Sequence, residues 1–343
     1  MANIFRGMAI GIANIIPGVS GGTMALLLGI YERLLTAISK FGPETLKALR
    51  GGLQSTREEL GRLDGAFLAS LGIGAAFAIV VSARIMTGLL ENHHDPTFGF
   101  FFGLVLASIV IPYRLIRRFS ARVVISGVVA AVLVVGLTLA MSGEDRLEAA
   151  RKKAAIKSRK VSELQLAENS RGNSVAATAA AVSPRVTTDP QTMGLFFIAG
   201  IIAICAMILP GISGSFMLLL MGVYFDILIC INERQILLLA CFAAGATVGL
   251  LVFTRFLKYL LKQFHDTTMS FMLGLVIGSL YAIWPFKSFD FADGKRVDIA
   301  NIIPASLGQN EMLTIATIVA GAALVLIFMA IEKRLPAKPE KSC

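Results

Sequence analysis

Charge is what this chain has least of: only 16% of its 343 residues are Asp, Glu, Lys or Arg, against about 25% in an ordinary soluble domain. With 56% of the residues hydrophobic, that scarcity excludes disorder and a coiled coil, which both depend on abundant charge. Cysteine is equally scarce. Four residues with no CxxC pair exclude a disulfide scaffold. Cys205, Cys230 and Cys241 read as small core hydrophobes, and Cys343 carries no prenylation box. Three histidines, His93, His94 and His265, without Cys or Glu at ligand spacing make no metal site, and no cofactor is expected. Residues 1–6 run into an apolar stretch with no A-x-A cleavage site, so they are expected to stay in the mature protein.

What the chain does have is length without charge. Uncharged runs cover 7–31, 66–83, 97–113, 123–143, 190–225, 235–254, 267–286 and 312–331, and mean hydropathy is +0.75. Most of these runs reach the roughly 20 residues that a helix needs to cross hydrocarbon. A polytopic membrane protein is the class that follows. The net charge of +10 then fits basic loops against anionic lipid headgroups. No basic patch interleaved with aromatics appears, so nucleic acid is not an expected partner.

The chain repeats itself. Residues 13–31, from Ala13-Asn14-Ile15-Ile16-Pro17-Gly18-Val19-Ser20-Gly21-Gly22-Thr23 to Gly29-Ile30-Tyr31, lie over residues 206–224, and 11 of the 19 positions are identical. Further on, His94-Asp95 and Gly103-Leu104-Val105 fall over His265-Asp266 and Gly274-Leu275-Val276, and Arg84 falls over Arg255. The offset drops from 193 to 171, so the first copy carries about 22 extra residues, placed most simply between 36 and 65. Two matches in the same order imply a duplication.

The expected fold is all-α: two repeats, each a re-entrant helical hairpin broken at a Pro-Gly-x-Ser-Gly motif and followed by three transmembrane helices. Repeat 1 takes 1–143, with the hairpin at 5–38 and spans near 66–90, 97–118 and 121–142. A basic polar linker takes 144–189 and reads as solvated with partial helicity, lipid-surface attraction being the other reading. Repeat 2 takes 190–335, with the hairpin at 193–230 and spans near 235–262, 267–286 and 311–331. Three crossings per unit would invert the second copy relative to the first. The positive-inside rule puts both termini, 36–65 and the Arg114–Arg122 loop in the cytoplasm. The basic linker then lies outside, against the same rule.

The broken motifs carry the chemistry. Pro and Gly at 17–22 and 210–214 interrupt any helix, and broken backbone at membrane depth persists only where protein or a water-filled cavity satisfies it. The alternative is a packing kink. The apolar segment after each break would present free N–H groups and its positive dipole end to an anion. Candidate anion-binding residues are Asn14, Gly18, Ser20, Gly21, Gly22 and Thr23 in the first copy, and Gly211, Ser213, Gly214 and Ser215 in the second. Arg84 and Arg255 are the candidate charge partners, or else they snorkel to the interface. His94 and His265 can titrate near neutrality. Asp95 and Asp266 either hold those rings or cap the following helices. Glu32 and Asp226 are candidates for ion coupling, or simply solvated at helix exits.

These paired strings, with Gly29-Ile30-Tyr31-Glu32 in the first copy and Leu209-Pro210-Gly211-Ile212-Ser213-Gly214-Ser215 in the second, resemble the bacterial polyprenyl-phosphate transporter family. The similarity runs over nearly the whole chain apart from the linker. It implies a flippase-type transporter that returns undecaprenyl phosphate from the outer to the cytoplasmic leaflet of the plasma membrane for cell-wall synthesis, with proton or sodium coupling open. The residues alone leave two rivals, a transporter of a small soluble anion and a lipid-phosphate phosphatase. The phosphatase lacks a Ser-His-Asp arrangement near Ser20 or Ser213 and an Asp-rich run for Mg²⁺, so the chain is not expected to be an enzyme.

Overall fold

Apolar runs of this length fold as helices because a helix satisfies its own backbone polar groups where water is absent. The computed structural model describes residues 2–15, 21–141, 143–169, 186–292 and 295–334. In the first half, α1 (Ala2–Ile15) is followed by α2 (Gly21–Leu27), α3 (Tyr31–Ser39), α4 (Pro43–Arg50), α5 (Leu53–Arg62), α6 (Gly65–Asn92), α7 (His94–Ser108), α8 (Val110–Leu115) and α9 (Ala121–Ala140). The linker region begins with α10 (Gly143–Asn169). The second half holds α11 (Pro190–Ile208), α12 (Gly214–Leu220), α13 (Tyr224–Asn232), α14 (Ile236–Gln263), α15 (His265–Ala282), strands β1 (Lys287–Ala292) and β2 (Lys295–Asn301), and α16 (Gln309–Arg334).

Six of these helices are long and apolar enough to cross a membrane, and two bent pairs bring the number of candidate spans to eight at most. The chain is a multi-pass membrane protein. α15 is not among the six because its start, His265-Asp266-Thr267-Thr268, lowers the apolarity of its 18 residues; Thr268, Ser270 and Ser279 are buried along it. Ser270 Oγ donates to the Val123 carbonyl at 2.6 Å and Ser279 Oγ to that of Val276 at 2.8 Å, so their polar atoms tolerate burial.

Each half has a bend beyond the expected break. Besides the Pro-Gly break, α2 turns into α3 by 119° and α12 into α13 by 109°. The cause is Gly29 and Gly222, at φ +65° and +73°. Each ends its helix with a Schellman turn, Ile30 N donating to Ala25 O at 3.0 Å and Val223 N to Leu218 O at 3.1 Å.

Helices pair closely at glycines. A Cβ on Gly7 would strike the Leu71 carbonyl, and one on Gly74 that of Ile4, which locks α1 to α6. The same contacts recur with Gly200 on Phe242 and Gly245 on Phe197, which locks α11 to α14. The remaining long helices pair across the halves: α7 packs along α16 and α9 along α15. There Gly103 meets the Ile318 carbonyl and Gly274 that of Gly127. The main core between them includes Met24, Leu26, Phe98, Phe101, Leu257, Met269, Met272 and Val325.

The helical fold is as expected, with one small addition. β1 and β2 form an antiparallel pair between α15 and α16. The alternating string Lys287-Ser288-Phe289-Asp290-Phe291-Ala292, followed by Asp293-Gly294 and Lys295-Arg296-Val297-Asp298, is a hairpin signal that the search for apolar spans passed over. Residues 144–169 are likewise more than a solvated linker, because α10 packs against both strands and α13.

Candidate functional site

The break of the second half is fully described. α11 ends at Ile208, Leu209 is extended, Gly211 takes φ +84° and Ser213 is extended again before α12 starts. Only glycine fits position 211 comfortably, since its φ is left-handed and a Cβ there would sit 2.5 Å from the Leu275 carbonyl oxygen. Ser213 does not cap α12 with its side chain; its hydroxyl lies 2.9 Å from that of Ser215. The first N–H groups of a helix have no intrahelical acceptor, and here they begin beside two hydroxyls.

Gly211, Ser213 and Ser215 line a cavity of about 360 Å³. Its apolar walls come from both halves and include Phe98 of α7, Val134 and Leu137 of α9, and Phe216 and Leu219 of α12. Its charges come from elements outside the repeated helices: Arg146 of α10, Lys287 of β1 and Asp298 of β2. Arg146 donates to the Thr138 carbonyl at 2.9 Å. Lys287 is buried, donates to the Ala282 carbonyl at 2.8 Å, and lies 3.7 Å from Asp298 Oδ2 and 5.1 Å from the Phe98 ring centre.

A network behind the cavity holds these groups. His94 contacts Asp95 at 3.0 Å through Nδ1 and Asp298 at 3.3 Å through Nε2. Arg296 bonds Asp95 at 2.7 Å and Asp298 at 3.1 Å, and Asn310 donates to Asp95. Burial pushes the Lys287 ammonium below its ordinary pKa, with the Asp298 charge opposing that shift. Burial works against ionisation of Asp298 as well, but the His94 hydrogen bond and the neighbouring cations outweigh it and hold the carboxyl at about 2.

The described residues of the first-half motif meet the second break. Asn14 Oδ1 accepts from Gly21 N at 3.0 Å, starting α2. Thr23 Oγ1 accepts from Gly211 N at 3.1 Å, and Tyr31 OH donates to the Ile208 carbonyl at 3.0 Å. A Cβ on Gly22 would lie 2.5 Å from that same carbonyl oxygen. The two breaks are therefore stitched together, with Gly214 buried beneath the second. Gly18, Ser20 and the Arg84 side chain lie outside the described residues.

Arg255 is not brought to the cavity. Its guanidinium donates to the carbonyls of Ser39 and Phe41, past the end of α3. At that end of the molecule His265 contacts Asp266 at 3.3 Å and Glu32 at 3.9 Å. Asp266 accepts from the backbone N–H of Arg117 and of Arg118, each at 3.0 Å. Each aspartate thus touches its own histidine and also ties in another segment. Asp226 is half-buried on α13 and does not line the cavity, and His93 is exposed. Sequence reasoning missed Arg146, Lys287 and Asp298. The signal for the two cations was their place, each within a few residues of the end of an uncharged run.

A broken helix that brings hydroxyls to a charged cavity between apolar walls, within a bundle of membrane-spanning helices, is the construction of a membrane transporter. Comparison with known proteins gives the particular group: a family model described as undecaprenyl phosphate translocase-like matches residues 10–296, and the chain belongs to that family. A polyprenyl-phosphate transporter of Vibrio cholerae is 32% identical over 287 residues, 84% of this chain and 78% of that protein. One of Staphylococcus aureus is 30% identical over 302 residues, 82% of this chain and 86% of that protein. No solved structure gives a significant match. The family is one of translocases and not of enzymes.

Proposed function

We propose that the protein carries undecaprenyl phosphate from the outer to the cytoplasmic leaflet of a bacterial inner membrane, with both termini in the cytoplasm. The observation that carries this reading is the cavity in which Ser213 and Ser215 face Arg146 and Lys287 between apolar walls. A phosphate head needs donors and cations, whereas its prenyl tail can stay in the bilayer. The names of the two relatives agree with that ligand.

Translocation proceeds by exchanging access to one headgroup site, and the lipid emerges chemically unaltered. The two halves act as inverted repeats around the stitched breaks, each apolar stretch entering and returning as a hairpin. Support comes from the glycine contacts that recur at the spacings of the duplication and from the cross-pairing of α7 with α16 and α9 with α15. In the proposed orientation the basic segments 40–62 and 114–122 face the cytoplasm, and the cavity, bounded by α10 and the β-hairpin, faces the outer leaflet. Gly18, Ser20, Gly21, Gly22, Thr23 and Asn14 shape the first half of the path. Arg84 remains a candidate charge partner. His94, His265, Glu32 and Asp226 are the candidate groups for proton or sodium coupling.

The test is a leaflet assay in proteoliposomes with labelled undecaprenyl phosphate and inorganic phosphate as the soluble control. Protein-dependent transfer of the lipid alone, without change to it, is the expected result. Movement of inorganic phosphate alone would replace this reading with that of a soluble-anion carrier.

A further inference from the structure

We propose that Asp298 sets the charge of the cavity so that it accepts a phosphate monoester headgroup and rejects a diphosphate. This rests on the reading of the cavity as the headgroup site. A carboxylate is the wrong group for a plain anion receptor, yet Asp298 lines the cavity that holds Ser213, Ser215, Arg146 and Lys287. Its Oδ1 accepts from Arg296 at 3.1 Å, and its Oδ2, held by His94 at 3.3 Å, also lies 3.7 Å from Lys287, inside the site.

The charges around the cavity leave a small excess. On the cavity wall, among the described residues, two cations, Arg146 and Lys287, stand against one carboxylate, Asp298. A phosphate monoester carries about −1.5 to −2 near neutral pH. One net positive charge and the Ser213 and Ser215 hydroxyls suit that anion. A second ionised phosphate would meet the Asp298 carboxylate with no further cation among the described residues of the wall to receive it, and like-charge juxtaposition of this kind is how binding sites exclude wrong partners. The cavity therefore discriminates by charge at the headgroup, where polyprenyl phosphate and polyprenyl diphosphate differ, and not at the tail, which they share.

The experiment measures binding of undecaprenyl phosphate and undecaprenyl diphosphate to the full-length protein in nanodiscs by native mass spectrometry, for wild type, Asp298→Asn and Thr138→Lys. Asp298→Asn removes the carboxylate with little change of shape. Thr138→Lys adds a cation from another wall of the cavity and leaves the Asp298 network in place, so the charge argument is tested even where Asp298→Asn does not fold. Wild type should prefer the monophosphate by about tenfold or more, and each variant should narrow that preference by about tenfold, chiefly by gaining diphosphate affinity. Equal binding of the two lipids by wild type overturns the proposal and leaves the function standing. So does a wild-type preference unchanged in every variant that folds. Binding of neither lipid by wild type overturns the function and the proposal together.

Discussion

Replacing Lys287 with Gln removes a buried cation from the cavity wall. Loss of a hydrogen bond to a charged group costs about 1.5–3 kcal/mol, or roughly 10–150-fold in affinity. The geometry makes the true loss larger, because Asp298 Oδ2 lies 3.7 Å from the ammonium and, with only Arg296 and His94 left beside it, presents more of its negative charge to the headgroup. At an effective dielectric of about 20 and a separation of about 8 Å, that repulsion adds about 2 kcal/mol. The single variant should therefore lose about 3.5–5 kcal/mol, while Lys287→Gln with Asp298→Asn should return to the loss expected of the hydrogen bond alone. Equilibrium binding of undecaprenyl phosphate to the four proteins of this cycle measures the coupling directly. An affinity within about twofold of wild type for the single variant, or no recovery in the double, would falsify the assignment of Lys287 to the headgroup.

Gly211→Ala and Gly222→Ala impose similar left-handed backbone strain of about 1–2 kcal/mol, but only Gly211 has the Leu275 carbonyl in the path of a Cβ, while Gly222 has open space. Thermal melts in detergent should show the larger loss for Gly211→Ala, and equal losses would refute the close approach of the break to α15. Asp298 is depressed from 3.8 to about 2, so it stabilises the docked hairpin above its unfolded pKa, and that contribution disappears as pH falls from about 4 toward 2. Trp284, the single tryptophan of the chain, donates to the Ile302 carbonyl. Its emission should hold steady from neutral pH to about 4 and shift below that, with the shift absent in Asp298→Asn. Arg255→Ala should lower the melting temperature through the freed Ser39 and Phe41 carbonyls and leave headgroup affinity unchanged; a selective loss of affinity would return Arg255 to the binding site.

Hydrophobic length and helix-breaking residues were legible because they act locally. The uncharged runs gave most of the spans, and Pro210, Gly211 and Ser213 gave the break, since no neighbouring element can make Pro donate a backbone proton. The second bend at Gly29 and Gly222 was equally local, and the identical Gly-x-Tyr spacing in both copies carried it. Which cations reach the cavity was not legible. Arg255 lies mid-helix, the position that reads as functional, yet it binds carbonyls near α3. Arg146 sits in a string that reads as solvated, and Lys287 starts a strand. Their arrival depends on α10 and the hairpin folding back over α7 and α9, which is set by contacts such as His94 with Asp298, some two hundred residues apart. A local reading of sequence has no access to such pairs.

The cross-pairing of α7 with α16 and α9 with α15 also fixes the order in which the chain can mature. When synthesis has passed α9, the face of α7 that carries Gly99 and Gly103 has no partner, because Thr314 and Ile318, the residues those glycines press against, are still to be made. The first half therefore waits in the bilayer with small-residue faces that another unfinished copy could cover, and it gains its interior only when the last helix inserts. A chain cut after α9 would leave α7 without α16 and α9 without α15, so the natural companion of such a fragment is the missing second half supplied as a separate polypeptide.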